Sequence, residues 1–169
     1  MSLVDELKGY IKKGDFTLSS GRKSSYYVDI KKAYTDPDIL REIALGMANL
    51  ISDEKPDGIA GMAVGGIPIA TALSLETGIP FLVVRKELKG HGTYSRIEGE
   101  ITPGSKVVVV EDVVTTGGSA LSAVEVIRES NGICDTVLVV VDREEGAKEN
   151  LLKNGVELRP LVSAKELVG

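Results

Sequence analysis

Short apolar runs alternate with amphipathic segments along most of the chain. Residues 107–110 are four consecutive valines, and residues 136–141 form a second apolar run rich in β-branched side chains. Runs that lack polar alternation are typical of strands buried on both faces of a parallel sheet. After Asp36-Pro37, which suit a helix cap and a first helical position, apolar residues recur at helical spacing up to residue 51. The pattern therefore predicts strands that alternate with helices.

The same criteria place the remaining elements and the loops between them. We expect helices at residues 2–14, 36–51, 68–78, 117–132 and 144–154, and strands at 58–61, 80–84, 107–110, 136–141 and 156–161. This alternation predicts a doubly wound α/β sheet, with ligands bound beyond the carboxyl ends of its strands. Three loops follow strand ends, at residues 63–66, 85–104 and 111–119. The second is long and polar, which is typical of a lid or of a disordered segment.

Composition narrows the class of protein. The 169 residues fit one domain, and the net charge of −5 argues against a nucleic-acid partner held by a basic surface. No apolar run approaches the roughly 18 residues of a membrane span, and the acidic start of the chain is unlike a signal peptide. We therefore expect a cytoplasmic protein with no membrane partner. Cys134 is the single cysteine, which excludes an internal disulfide and indicates a buried packing residue.

The most informative segment is at residues 107–119. The valine run is followed by Glu111-Asp112, then by small and hydroxyl-bearing residues that lead into a helix. Small residues let backbone N–H groups and a helix N-terminus surround a phosphate, whereas carboxylates accept hydrogen bonds from sugar hydroxyls. No Lys follows the glycines, so the segment is not a nucleotide-triphosphate P-loop, and it is not a GxGxxG turn. Phosphate donors beside a diol acceptor match a ribose 5-phosphate group. An ordinary strand-to-helix turn with exposed acids is the alternative.

This segment resembles the binding motif of type I phosphoribosyltransferases, which use phosphoribosyl pyrophosphate (PRPP). The resemblance implies a central, mostly parallel sheet flanked by helices. It also implies a small N-terminal hood, formed by residues 1–35 and the C-terminal end, on a core of residues 36–155. PRPP would bring Mg²⁺, which would have no direct protein ligand and would reach Asp112 through water. The implied PRPP-binding residues are Glu111 and Asp112 at the ribose diol, with Val113, Val114, Thr115, Thr116, Gly117, Gly118 and Ser119 around the 5-phosphate.

A cluster of cations follows the strand at residues 80–84. Arg85, Lys86, Lys89 and His91 lie within seven positions, and His91 is the single histidine. Such groups can neutralise or protonate a departing pyrophosphate once a lid excludes water. The alternative is a solvated basic loop. The pattern closely resembles the catalytic loop of orotate phosphoribosyltransferases, which implies that these four residues approach the pyrophosphate. In that family the loop at residues 85–100 reaches a neighbouring subunit's site, which implies a homodimer.

Two further segments concern the acceptor base. Residues 16–29 resemble the hood of the orotate family, in which Tyr26 and Tyr27 would offer a ring face to a pyrimidine. Arg143 follows the run at residues 136–141, and an Arg there can pair with a carboxylate such as that of orotate. The resemblance adds Thr115 to the orotate-binding residues. The alternatives are aromatic packing for the tyrosines, and a surface pair with Glu144 or Glu145 for Arg143.

The resemblance covers nearly the whole chain but departs from the family at two positions. Many bacterial members carry Lys where Ser19 stands here, so one expected base-side contact is missing. Many also carry Lys where Gly65 stands, so the pyrophosphate loop must depend more on backbone N–H groups or on the lid. The implied activity is transfer of the phosphoribosyl group from PRPP to orotate in pyrimidine (UMP) biosynthesis. Three alternatives stay open: another acceptor base, a non-catalytic PRPP-sensing regulator, and an α/β domain without a PRPP site.

Overall fold

A six-stranded sheet and a separate two-stranded hairpin organise the chain. The computed structural model describes residues 1–18, 20–86 and 96–169. Within these ranges the strands are β1 (Ile11–Thr17), β2 (Lys23–Val28), β3 (Gly58–Met62), β4 (Phe81–Val84), β5 (Ile97–Glu98), β6 (Val107–Val114), β7 (Thr136–Asp142) and β8 (Glu157–Ser163). The helices are α1 (Leu3–Lys8), α2 (Ile30–Ala33), α3 (Pro37–Leu50), α4 (Gly66–Thr77), α5 (Gly118–Glu129), α6 (Ala147–Leu152) and α7 (Ala164–Val168).

The large sheet has the strand order β5-β4-β3-β6-β7-β8. Neighbouring strands from β4 to β8 are parallel, and the short edge strand β5 is antiparallel to β4. The predicted α/β fold with a mostly parallel sheet is confirmed. Because β3 and β6 are adjacent at the centre, the loops that follow them open at the same edge of the sheet.

Both faces of this sheet are covered, which explains the unbroken valine run of β6. Val108 and Val110 pack in one core cluster with α3 and α4, while Val107 and Val109 pack in the other with α5 and α6. All four are at most 2% exposed. Consecutive residues of a strand point to opposite faces, so burial on both sides removes the polar alternation of a half-exposed strand.

The N-terminal hood contains the hairpin that the periodicity did not reveal. β1 pairs antiparallel with β2, and the register shifts between Lys13 and Phe16. The expected helix at residues 2–14 is wrong beyond residue 8, because Ile11 pairs with Val28 across the hairpin. Gly14, which looked like a helix stop, has φ +151° and lies within this irregularity of β1. At the other end of the chain, α7 packs against α1.

Other boundaries also differ from the expected ones, among them those of β6, α4 and α6. β6 does not end at residue 110, because Val113 and Val114 continue the ladder with β7, so the acidic pair lies within the strand. α4 begins at Gly66 rather than at Pro68, a shift that proline permits because the first helical turn needs no N–H from it. α6 begins after Gly146, whose φ of +109° is incompatible with a helix started at residue 144.

Two remaining observations concern the single cysteine and the character of the helices. Cys134 is 1% exposed, as expected for a packing residue, and burial raises the pKa of its thiol to about 12. Among the helices in the described ranges, none combines the length and the apolar character that crossing a membrane requires.

Candidate active site

A cavity of about 570 Å³ opens at the carboxyl-end edge of the central strands. Residues 63–65 after β3, Lys86 after β4 and Glu111 to Val113 of β6 contribute to its wall, and the hood closes it with Thr17, Leu18, Tyr27 and Lys31. A second cavity of about 390 Å³ adjoins it and shares Lys86 and residues of the loop after β6. The loops that follow three separate strands therefore converge, as the strand pattern predicts.

The acidic pair lies in the last part of β6, with the two side chains directed to opposite faces of the sheet. Glu111 accepts a hydrogen bond from Ser119 Oγ at 3.4 Å on the α5 side. Asp112 Oδ2 accepts from the ammonium of Lys31 at 2.9 Å on the hood side. Both residues line the larger cavity, although Glu111 is 6% and Asp112 is 7% exposed. The strand thus presents two differently paired carboxyl groups to one ligand space.

The two carboxyl groups experience different electrostatic environments. Burial, and next the charge of Asp112, raise the pKa of Glu111 to about 8, which the hydrogen bond from Ser119 opposes. Burial, the largest single effect, lowers the pKa of Lys31, but the hydrogen bond to Asp112 and the negative charges around it together raise it by more, so the net direction is upward and Lys31 stays protonated. Glu111 therefore stays protonated to a higher pH than an ordinary glutamate, while the Lys31 ammonium lies beside its neighbour in the strand.

The loop at residues 115–117 and the start of α5 form the wall of the smaller cavity. Gly117 has φ +86°, and an added Cβ would lie 3.2 Å from the backbone of Ala147, so a larger residue is excluded on both counts. No side chain caps the N-terminus of α5, which leaves its first N–H groups directed outward. Lys86 and Arg96 also line this cavity. Free amide groups with nearby cations suit a phosphate.

The cationic segment after β4 is described in part. Lys86 lines both cavities, whereas Arg85 pairs with Glu98 of β5 at 2.7 Å. Arg96 donates from Nε to the carbonyl of Arg85 at 2.9 Å, which joins the two ends of the loop. Lys89 and His91 lie outside the described residues, as does Ser19.

Arg143 joins the strand β7 to the hood. Its Nε pairs with Glu145 at 3.2 Å, Nη2 donates to Ser24 Oγ at 2.8 Å and Nη1 donates to the carbonyl of Tyr26 at 3.2 Å. The guanidinium also stacks 3.9 Å from the centre of the Tyr26 ring. Each terminal nitrogen carries a second N–H. The guanidinium of Arg143, which lines the larger cavity, therefore still has donors for a carboxylate.

The two tyrosines of β2 have different surroundings because neighbouring residues of a strand face opposite ways. Tyr27 lines the larger cavity and stacks on Phe16 with ring centres 5.8 Å apart. Tyr26 instead packs beneath Arg143 and against the core. Of the expected orotate-binding residues, the structure brings Tyr27, Thr115 and Arg143 to the cavity wall.

The loop after β3 passes close to the acidic pair. The peptide bond between Ala63 and Val64 is cis, and Gly65 follows directly. A Cβ added at Gly65 would lie 2.4 Å from Asp112 Oδ2, which is far inside van der Waals contact. A side chain at position 65 is therefore incompatible with the observed position of Asp112.

Comparison with known proteins identifies the family. Residues 31–159 match the phosphoribosyl transferase domain model. An orotate phosphoribosyltransferase of Methanocaldococcus jannaschii is 56% identical over 167 residues, which are 98% of this chain and 94% of that relative. The crystal structure of orotate phosphoribosyltransferase from Aeropyrum pernix has a TM-score of 0.89 at 38% identity, covering 99% of this chain and 96% of that one.

The chain belongs to the orotate phosphoribosyltransferase family. The family expected from the sequence motifs is thus confirmed, together with its fold. Another match is to the structure of Leishmania donovani UMP synthase, with a TM-score of 0.87 at 34% identity. That match covers 98% of this chain and 36% of the UMP synthase, so this orotate phosphoribosyltransferase-family chain spans about a third of that protein's length.

Among the polar residues of the site that the motifs did not indicate is Lys31. Lys31 lies in no recognised motif, and its partner Asp112 is 81 positions away in the chain. Its position next to the expected hood segment was the available signal, but a lysine in a sequence that has 20 Lys and Arg residues does not stand out.

Proposed function

We propose that this chain transfers the 5-phosphoribosyl group of PRPP to orotate, forming orotidine 5′-monophosphate and pyrophosphate in pyrimidine biosynthesis. One observation carries the proposal: the acidic pair, the uncapped α5 loop and Arg143 border one connected space. This space combines acceptors for a diol, donors for a phosphate and a clamp for a carboxylate. Family membership supports the same substrates.

The donor would bind across the two cavities. The 5-phosphate would accept hydrogen bonds from the N–H groups of residues 115–119 and from the hydroxyl groups of Thr115, Thr116 and Ser119, in the smaller cavity. The ribose diol would donate to Glu111 and Asp112 at the end of β6. Val113 and Val114 would hold the backbone of this segment in the sheet, since both pair with β7. The anomeric carbon would then face the hood.

The reaction needs no protein nucleophile. A nitrogen of the orotate anion forms a bond with the anomeric carbon as the bond from that carbon to pyrophosphate breaks, and the electron pair leaves with pyrophosphate. Positive charge develops on the ribose ring, so the chain contributes positioning and stabilisation of the departing anion. Lys86 lines the cavity at this point, and we propose that Arg85, Lys89 and His91 join it when the lid closes.

Lys89 is the first candidate for stabilising the departing pyrophosphate. Replacing Lys89 by Ala should lower kcat by at least about tenfold, because a charge-assisted contact formed as charge develops is worth more than 1.4 kcal/mol. Steady-state kinetics with saturating PRPP and orotate measure this effect. Near-normal turnover of the variant would remove Lys89 from the role.

Orotate would bind between the hood and β7. The second N–H groups on the terminal nitrogens of Arg143 would hold its carboxylate, and Thr115 would contact the base from the opposite wall. Tyr27 would supply a ring face; Tyr26 would act by fixing the guanidinium that stacks on it. This clamp explains a preference for a carboxylated pyrimidine over uracil.

The described residues fit magnesium that arrives with PRPP. Mg²⁺ usually binds one or two carboxylates together with substrate phosphates, and retains several waters. Glu111 and Asp112 are the carboxylates in the described wall of the larger cavity, and no cluster of three or more potential ligands occurs in the described ranges. Asp112 would contact such an ion through water. When bound, the ion would neutralise part of the charge on the pyrophosphate group.

Three further properties are proposed with this function. The chain would form one domain, with residues 1–35 and the C-terminal end as hood over a core of residues 36–155; the packing of α7 on α1 supports this division. The enzyme would be a cytoplasmic homodimer in which the loop at residues 85–100 reaches the neighbouring site. Gel filtration with light scattering tests the dimer directly.

The test of function is pyrophosphate release from PRPP and Mg²⁺, with orotate, uracil and adenine offered separately to the purified protein. Release with orotate alone is expected. Release with uracil or adenine would preserve the PRPP site and overturn the assignment of the base pocket. Measurable PRPP binding without release from any base would favour a PRPP-sensing regulator.

A further inference from the structure

Lys31 lines the larger cavity from a position outside the motifs that define the site. Its ammonium lies 2.9 Å from Asp112 Oδ2, and its side chain is 54% exposed. An ammonium has three N–H donors, and the described contact with Asp112 uses one of them. The cation is therefore anchored on one side and open to the cavity on the other.

The backbone holds Lys31 firmly at this place. The side chain of Asp29 caps α2 by accepting a hydrogen bond from the N–H of Lys32 at 3.1 Å. Ile30 and Ala33, on either side, are 1% and 0% exposed and belong to the core, and α2 packs against β6. Lys32 is exposed and is absent from the cavity wall. Of these two consecutive lysines, the fold directs one to the ligand space.

The residue at position 65 is a glycine, and the position has no room for a side chain that could bring a positive charge into the larger cavity. The atom nearest to a Cβ built on Gly65 is Asp112 Oδ2 at 2.4 Å, which is also the atom that pairs with Lys31. Asp112 Oδ2 therefore lies between the Lys31 ammonium and the place where a side chain at position 65 would begin. A residue larger than glycine there would displace the carboxylate that holds Lys31.

This inference rests on the proposed function, which requires positive charge in the cavity to offset the two carboxyl groups of its wall. The diphosphate group of PRPP must approach a wall that carries Glu111 and Asp112. Three cations occur in the described part of that wall: Lys31, Lys86 and Arg143. Arg143 already uses all three nitrogens, Nε for Glu145 and the two terminal nitrogens for Tyr26 and Ser24 of the hood. Lys31 lines the same cavity as the loop at residues 63–65, and its partner Asp112 Oδ2 is also the atom nearest to a Cβ built on Gly65.

We propose that Lys31 is a substrate-binding residue that holds the diphosphate group of PRPP while remaining paired with Asp112. Its remaining N–H groups donate to diphosphate oxygens, and the glycine at position 65 leaves room for the Asp112 carboxylate that anchors it. Lys31 thereby provides the positive charge that the loop at residues 63–65, which has no charged side chain, lacks.

The test uses two probes that divide PRPP into its parts. Inorganic pyrophosphate carries the diphosphate alone, and ribose 5-phosphate carries the diol and the 5-phosphate alone. Titration calorimetry in magnesium buffer measures both affinities without depending on turnover. Lys31→Ala should weaken pyrophosphate binding by about ten- to a hundredfold, the size of one charge-assisted hydrogen bond, and should change ribose 5-phosphate binding less than about twofold.

Matched variants distinguish a direct contact between Lys31 and pyrophosphate from a structural role of Lys31. Lys32→Ala removes the adjacent exposed lysine and should leave both affinities unchanged, whereas Lys31→Arg should restore most of the pyrophosphate affinity. Equal weakening of both probes by Lys31→Ala would mean that Lys31 acts through Asp112 alone, and would overturn the proposal. No change for either probe would also overturn it. Lys31→Gln replaces the alanine variant if the latter unfolds.

The wild-type protein separates this inference from the proposed function. Wild-type protein that releases no pyrophosphate with any base removes the proposed function itself. Wild-type protein that is active with orotate, but whose pyrophosphate affinity survives Lys31→Ala, contradicts the role of Lys31 alone.

Discussion

Replacing Glu111 by Gln should stabilise the fold while weakening the donor site. Glu111 is 6% exposed, and burial together with the charge of Asp112 raises its pKa from 4.5 to about 8. A carboxyl group whose pKa is raised by folding favours the native state when protonated. Its contribution is fully present below the unfolded value near 4.5, and is lost as pH rises through about 8. Glutamine does not ionise, so the Glu111→Gln variant does not lose this stability as the pH rises.

The magnitude follows from the pKa of the folded state. Each pH unit between 4.5 and about 8 corresponds to about 1.4 kcal/mol. Relative to wild type, Glu111→Gln should therefore gain about 3 kcal/mol at pH 7 and about 4 kcal/mol at pH 9, compared with its value at pH 4.5. These figures are upper values, since relaxation and water penetration reduce the cost of a buried charge.

Urea denaturation at pH 5, 6, 7, 8 and 9 measures the free energy of unfolding of both proteins. The difference between them should grow with pH and level off above about 8. Glu125→Gln is the matched control: it changes the same group at an exposed position of α5, and should shift stability by less than about 0.5 kcal/mol. A difference between Glu111→Gln and wild type that stays constant from pH 5 to 9 would refute the reasoning.

Three more predictions concern the ligands. In the proposed site the ribose diol donates to the ionised Glu111, so PRPP affinity of the wild type should rise with pH and level off above about 8; calorimetry should show no such rise for Glu111→Gln. Arg143→Lys keeps the positive charge but loses the planar guanidinium, which can form two parallel hydrogen bonds to a carboxylate. The KM for orotate should therefore rise by about tenfold or more, while the KM for PRPP changes little. An unchanged orotate KM in steady-state assays would remove Arg143 from the base site. Gly65→Ala should displace Asp112 and destabilise the protein by about 1–3 kcal/mol in urea denaturation, with weaker PRPP binding. Its control is Gly58→Ala, whose Cβ would meet no atom nearer than 3.5 Å; equal effects of the two would contradict the clash.

Local sequence signals predicted the central sheet well, and the reason is its burial. The valine run of β6 lacks polar alternation because α3 and α4 cover one face and α5 and α6 the other. The hairpin of the hood gave no such signal. Its strands are largely exposed, and Ile11 depends on a partner 17 positions away for its strand conformation. Local periodicity favoured a helix there, and pairing across the hairpin overrode it.

By itself, the sequence determined the fold class, the family and the segments that carry the chemistry, because short motifs such as the acidic pair and the glycine turn are read within one stretch of chain. Only the tertiary structure decided how those segments share a site. It directed Glu111 and Asp112 to opposite faces of β6, placed Tyr26 beneath Arg143 rather than at the cavity, and brought Lys31 to Asp112 across 81 positions. Strand alternation and long-range packing set these contacts, and neither is encoded within a single motif.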